Sequence, residues 1–380
     1  MIAMKGDVTM HKKICGILFI LLCFALLPAC QNESVNGSDT MPVLDLSSSE
    51  KLTFKPGSKD TFSVKVYDID VPEGWSAGGV FPYNSKIYYY RDKVLRQLVT
   101  SSPAEVVEYD TGSHAERVIY SCENNDTGLF LNELMANENS VFWSVYEGHE
   151  RRIERYDFKN EKIALIDSSP ADSPAMLSAD GNHMIWFQAS YEESGDDLYV
   201  YDSSNGILEH IEVAKGYLYR RSNINEGVLT YVTVYDDQYN LINICDLNTK
   251  EVIKGILIDK NIDFMRTIAN RQYFVFNLPQ QKDEIYAYDY VYNILYDVND
   301  LAEISVFSFE LINDTLLIND NESKTIIALN LADQTQTVCF GGDGRNHRFT
   351  SSSASQNKTY ATIDHDFANE KTRVVYITVN

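Results

Sequence analysis

The sequence predicts an all-β fold, a seven-bladed β-propeller of four-stranded antiparallel blades whose ring is closed by an N-terminal strand. Three observations predict it. A strand-like run ending on an aromatic or apolar residue followed by Asp or Asn recurs along the chain as VVEYD (106–110), IERYD (153–157), LYVYD (198–202), INICD (242–246), IYAYD (285–289) and IIALN (326–330), with VVYIT (374–378) as a seventh copy. With Tyr109, Tyr156, Tyr201, Cys245, Tyr288, Leu329 and Ile377 taken as equivalent, the spacings are 47, 45, 44, 43, 41 and 48 residues, the period of a blade. Ahead of each run stands a second alternating strand: KIYYYR (86–91), VFWSVY (141–146), MIWFQAS (184–190), VLTYVTVY (228–235), YFVFNL (273–278), LLIND (316–320) and TYATID (359–364). Val, Ile and aromatic residues dominate these runs, as half-buried strands require, and no stretch beyond residue 29 carries a long 3.6-residue apolar period. The third observation concerns closure. The seventh unit reaches Asn380 after its third strand, and TFSVKVYDID (61–70) is the candidate to supply the outer one, since an open stack of blades would expose two sheet edges.

From the N-terminus, His11, Lys12 and Lys13 precede Ile14 to Ala29, a 16-residue apolar run that is short for a membrane span and right for an export signal. Met10 is an alternative start. The run ends in Leu27, Pro28, Ala29 and Cys30, which resembles the lipobox of bacterial lipoproteins. That resemblance implies a signal peptide over residues 1–29 and a thioether-linked diacylglycerol on Cys30, with palmitate-type acyl chains. The alternative is an uncleaved N-terminal anchor; either arrangement puts the bulk of the protein on the outer face of a bacterial membrane, in the cell envelope. Residues 30–58, polar and rich in Ser and Asn, read as a lipidated cysteine and flexible tether, and residues 59–380 as the propeller. Cys122, Cys245 and Cys339 lie among apolar strand residues without CxxC or Cys/His spacing, so they read as buried thiols rather than as disulfides or a zinc site.

Composition removes whole classes of function. The chain has 32 Lys+Arg against 55 Asp+Glu, a net charge of -23 and 44% hydrophobic residues. Without residues 1–29, whose Lys5, Lys12, Lys13 and Asp7 sum to +2, the charge is -25, which a duplex of phosphates would repel, so nucleic acid is excluded as a partner. The apolar content excludes a disordered acidic tail. Within the repeats, the Asp or Asn that ends each run (Asp110, Asp157, Asp202, Asp246, Asp289, Asn330) is placed to accept from backbone N–H groups two residues on and so to close a turn between antiparallel strands.

The segment LSADGNHMIWF (177–187) resembles the WD-like repeat of TolB-type propellers, in which a Ser-x-Asp-Gly turn leads into the second strand of a blade. SASQNKTYATI (353–363) echoes it with the Asp-Gly replaced. The resemblance implies architecture. Such propellers occur in translocation partners, surface lipoproteins and some lyases, so activity stays open.

No GxSxG, HExxH, P-loop or dinucleotide GxGxxG occurs, and His149, Glu150, Arg151, Arg152 is followed by Ile153 where a zincin would need its second His. The histidines at 114, 149, 183, 210, 347 and 365 fall mostly at turns of different blades, and GGDGR (341–345) reads as the connection between blades six and seven. Turns between second and third strands carry acidic residues (YEGHE 146–150, EESGDD 192–197, YDDQ 235–238, KDE 282–284, NDNES 319–323, DHDFANE 364–370), either a solvated rim or a dock for cations or a basic partner. No cofactor is implied. A structural calcium ion at that rim is the one metal reading, and no turn matches an EF-hand loop. Against the acidic background, Arg220, Arg221, Arg266, Arg345, His347 and Arg348 precede the second strands, where they are expected to line the central channel, whereas the corresponding part of blade two carries Glu133. They form either a positive site for carboxylate or phosphate groups or a set of pairs with acidic neighbours across blades. Tyr217, Tyr219, Phe264 and Phe307 interleave with them, as blade packing in the first reading and, together with the arginines, as a platform for an acidic glycan in the alternative. The expected function is therefore a membrane-anchored binding or scaffold protein that engages an unknown protein or anionic ligand through one propeller face. The alternative is a lyase or hydrolase acting on an acidic glycan at the channel.

Overall fold

The computed structural model describes residues 41–93, 103–122, 129–147, 149–170, 175–188, 196–214, 223–262, 264, 266–278, 284–298, 306–320, 322–341, 347–355, 357–366 and 369–380. Cys30, Arg220, Arg221, Arg345, Tyr217 and Tyr219 lie outside them.

The N-terminal part carries β1 (Glu50–Lys51), β2 (Lys55–Pro56) and β3 (Phe62–Asp68), with two three-residue 3-10 turns as the only helical pieces among the described residues. Blade one is β4 (Trp75–Tyr83), β5 (Lys86–Lys93), β6 (Ala104–Asp110) and β7 (Glu116–Cys122). Blade two is β8 (Leu129–Ala136), β9 (Ser140–Glu147), β10 (Glu150–Asp157) and β11 (Lys162–Pro170). Blade three is β12 (Leu177–Asp180), β13 (His183–Gln188), β14 (Asp196–Asp202) and β15 (Ile207–Val213). Blade four is β16 (Asn223–Asn225), β17 (Val228–Val234), β18 (Tyr239–Asp246) and β19 (Glu251–Asp259). Blade five is β20 (Arg266–Ala269), β21 (Tyr273–Leu278), β22 (Glu284–Asp289) and β23 (Ile294–Asp297). Blade six is β24 (Val306–Ile312), β25 (Thr315–Asp320), β26 (Thr325–Asn330) and β27 (Thr335–Gly341). Blade seven is β28 (His347–Ser355), β29 (Thr359–Asp366) and β30 (Lys371–Val379), completed by β3.

The repeat runs are the third strands and the runs ahead of them the second strands, as the sequence predicts. The second strands are buried on both faces; β21 and β25 are buried at all six positions, which is why YFVFNL and TLLIND read as nearly continuous apolar runs. Seven buried clusters form, one at each blade interface, with Trp143 and Trp186 among the largest wholly buried side chains. Cys122 and Cys245 are buried and Cys339 is half-buried, its thiol pKa pushed up to about 12 by desolvation.

The Asx turns form as predicted. Asp110 Oδ1 accepts from Gly112 N at 2.9 Å and Ser113 N at 2.8 Å, and Asp157, Asp202, Asp246, Asp289 and Asn330 make the same kind of turn. Gly79, at φ +54, lets blade one pass beneath an aromatic ring: a Cβ there would stand 2.5 Å from Tyr90 Cε1.

Closure is as expected, with β3 pairing antiparallel to β30 from Phe62↔Val379 to Asp68↔Arg373. The tether expectation needs correction for residues 43–56, which are docked. Val43 bridges Leu257 in parallel, Glu50–Lys51 pair with Tyr296–Asp297, and Lys55–Pro56 pair with Thr335–Gln336. The chain thus runs as a belt along the outer strands of blades four, five and six before it becomes the outer strand of blade seven. Its apolar residues explain the docking: Leu44 and Leu52 are buried, each in a different interface cluster, with Leu46 and Phe54 packed beside them.

Candidate functional site

Each blade's first strand lines the channel. One face of the ring carries the turns between first and second strands and between third and fourth (the AB face). The other carries the turns between second and third strands and the crossings between blades (the BC face).

On the AB face, amide and carboxylate side chains tie turn to turn. Asn357 donates to Asn84 Oδ1 at 2.9 Å from blade seven to one, and Asn139 to Asn182 Oδ1 at 3.0 Å from two to three. Asp180 of the Ser-x-Asp-Gly segment accepts from Gly227 N at 2.6 Å, joining blades three and four, and Asn270 donates to the Asn313 carbonyl at 2.7 Å, joining five and six. Glu226 of blade four reaches past blade five to accept from Asn313 N of blade six at 2.6 Å, beside the channel mouth. Desolvation pushes the Glu226 pKa above its ordinary value, and the nearby charges of Asp180 and Asp314 add to the rise.

The sequence-predicted cationic residues fall into three groups. Arg266, at the start of β20, places Nη2 2.5 Å from Glu310 Oε1 on blade six, and its guanidinium lies over the Phe309 ring at 5.4 Å. His347 is buried, with Nδ1 3.1 Å from both carboxylate oxygens of Asp364, its ring parallel to Phe349 and edge-on to Phe340. Arg373, which the sequence reading did not single out, completes that cluster with Nη2 2.6 Å from Asp364 Oδ2 and 3.3 Å from Asp366 Oδ2. Arg348 is exposed beside His365, whose pKa is lowered by burial while the Asp364 charge opposes the shift and Arg348 reinforces it. Arg266 and His347 stand in blades five and seven with blade six between them, and both are bonded to carboxylates. Phe264 is buried in the interface of blades four and five, as blade packing requires.

Arg151, read from the sequence only as part of a failed metal motif, is 1% exposed and staples blade two to blade three. It donates from Nη1 to the Phe187 carbonyl at 3.1 Å and from Nη2 to Gln188 Oε1 and Ser169 Oγ, each at 2.8 Å. Its alternation with the buried Ile153 was the available signal. Among the described residues, no group of three or more His, Cys, Asp or Glu side chains is arranged to hold a metal ion.

A cleft of about 280 Å³ opens between blades three and four near the AB face. Val200, Ile211, Leu229, Cys245 and Leu247 give it an apolar lining; His183, Asp202, Glu209 and Lys250 contribute its polar lining. Lys250 Nζ pairs with Glu209 Oε1 between the two blades.

No protein-family model matches the chain, and no curated protein matches it in sequence. Solved structures match it in fold. The β-propeller domain of the Trilobed protease from Pyrococcus furiosus, described as having an open velcro topology, aligns with a TM-score of 0.58 at 9% identity over 80% of this chain and 93% of that one. An acylaminoacyl peptidase complexed with a chloromethyl ketone aligns at 0.55 and 10% identity over 82% of this chain and 51% of its own, so the present chain spans about half of that enzyme. A structure of the mitotic checkpoint complex aligns at 0.54 and 9% identity over 92% and 99%. At these identities the likeness establishes the class: a β-propeller, here of seven blades.

Proposed function

We propose that this protein is an extracytoplasmic binding or scaffold propeller, held at the outer face of a bacterial membrane by lipid on Cys30 and engaging its partner through the surface of the ring. The observation that carries this reading is the internal use of two of the three described channel candidates, Arg266 and His347, whereas Arg348 is exposed. Arg266 of blade five is paired with Glu310 of blade six, and His347 and Arg373 meet Asp364 within blade seven, so these groups are taken up inside the fold instead of presenting a strong anion site. What the ring offers outward is its turns, set on a frame of seven interlocked cores.

Two measurements test it. A fatty-acid analogue should label the wild type and not Cys30→Ser; equal labelling of both removes the lipid anchor. Photo-crosslinking residues placed in the BC-face turns, at Asp236 and Glu322, should give adducts of one discrete size in intact cells. Absence of adducts, together with release of unsaturated products from an acidic polysaccharide by the purified protein, would replace this reading with the lyase.

A further inference from the structure

The belt shows how this protein fills the grooves around its own perimeter. At two of its docking points the belt runs parallel to the outer strand of a blade, through a single bridge at Val43 on blade four and the two-residue strand Glu50–Lys51 on blade five, and a pair of apolar residues at i and i+2 packs into the interface with the next blade. Leu44 and Leu46 pack at the interface of blades four and five, among Ile256, Ile258 and Tyr290, where Leu44 N donates to the Leu257 carbonyl at 2.8 Å. Leu52 and Phe54 pack at the interface of blades five and six, beside Val298 and Leu331, where Leu52 N donates to the Asp297 carbonyl at 2.9 Å.

The cleft between blades three and four is the next socket of this series. It lies between the outer strand β15 and the end of the third strand β18. Leu247 occupies the place of Tyr290 and Leu331, the residue directly after the Asp or Asn that closes the turn. Among the described residues no strand covers the outer edge of β15, whereas β1 and β2 cover the corresponding edges of blades five and six. Ile207 and Leu208 on that strand are 51% and 44% exposed. An uncovered strand edge beside an apolar cleft is a template for strand addition. The Lys250–Glu209 pair is partly exposed and easily parted, because solvent screens it.

We infer that this cleft is a docking socket for an extended segment of another protein, added in parallel to β15 and inserting two large apolar side chains spaced i and i+2. The chain's own upstream residues are the competing occupant, because Met41, the first described residue, lies against Gly255 on the neighbouring strand. Their composition argues against them. Residues 31–40, QNESVNGSDT, contain one apolar side chain, Val35, and no i, i+2 pair. The inference does not depend on the lipid or on the BC-face turns, and fails or stands separately from them.

The probe is a synthetic peptide of the belt's own sequence, EKLTFKPGS (residues 50–58), offered to the full chain, with alkylation of the Cys245 thiol in the cleft read by mass spectrometry. At a peptide concentration of about ten times Kd, mass action slows Cys245 alkylation by about tenfold. EKATAKPGS should give no protection. Leu247→Arg should abolish binding, and so should Ile207→Arg, whose exposed position keeps the fold out of the outcome. No saturable binding, or equal binding by EKATAKPGS or by the Ile207→Arg protein, overturns the inference. So does faster Cys245 alkylation after deletion of residues 31–40, which would make the chain itself the occupant.

Discussion

Arg91 of blade one donates from Nη1 to the backbone carbonyl of Asp70 across 2.5 Å, so the first blade grips the end of the strand that completes the seventh. Glu116 works from the same side, accepting from Asp70 N at 2.8 Å and standing 3.3 Å from Arg91 Nη1, while Glu105 holds Arg91 Nε at 2.7 Å. Arg91→Ala removes a charged donor and leaves two carboxylates short of a partner. It should cost about 2–3 kcal/mol in denaturant unfolding. Limited proteolysis should then cut first between residues 56 and 75; unchanged protease resistance would mean that the β3–β30 ladder holds the junction alone.

The belt makes a second prediction, about local stability. Leu52 is 4% exposed in the core between blades five and six, but the strand just before it, β1, contributes only two residues to the sheet. Leu52→Asp puts a carboxylate into that core, and the less costly response is release of the belt rather than loss of a blade. Hydrogen exchange of residues 44–57 should rise by about two orders of magnitude, the equivalent of about 3 kcal/mol, with β21 and β25 still protected. Simultaneous loss of protection in all three would show that the belt and ring unfold together.

The third strands were legible because their signal is local: Asp110 and its equivalents sit at the end of an apolar run, and the turn they close lies within three residues. The belt was not, because parallel pairs as short as Lys55–Pro56 have no periodicity and SSSEKLTFKPGS has the composition of a linker. The pairs Leu44/Leu46 and Leu52/Phe54 were its only trace. The candidate channel residues were half legible. Sequence placed Arg266 at the head of a blade and Glu310 44 residues later in the next, but the direction in which each side chain turns is set by the twist of strands that meet only in the ring.

That pairing supports a third prediction. The side chains of Arg266 and Glu310 are 15% and 7% exposed, so neither is well solvated without the other. Glu310→Gln and Arg266→Ala should each destabilise by about 3 kcal/mol, whereas Arg266→Met with Glu310→Leu should recover most of the loss. If Arg266→Ala instead leaves stability intact and weakens binding of an anionic glycan, the residue serves a ligand after all.

The last prediction concerns pH and rests on a bond that skips a blade. Glu226 accepts from Asn313 N across the front of blade five, and burial raises its pKa above the ordinary 4.5, with Asp180 and Asp314 contributing in the same direction. A carboxyl whose folded pKa is raised stabilises the fold fully below its unfolded pKa and loses that contribution as pH rises through the folded value. Glu226→Gln keeps an acceptor oxygen for Asn313 and removes the charge. The variant should therefore match the wild type below pH 4, gain on it as pH rises past 4.5, and hold a constant advantage once Glu226 is ionised in the fold. Denaturant midpoints across pH 4 to 8 measure this. A variant that loses stability at neutral pH would show that the ionised carboxylate, through its stronger hydrogen bond to Asn313, contributes more than its burial costs.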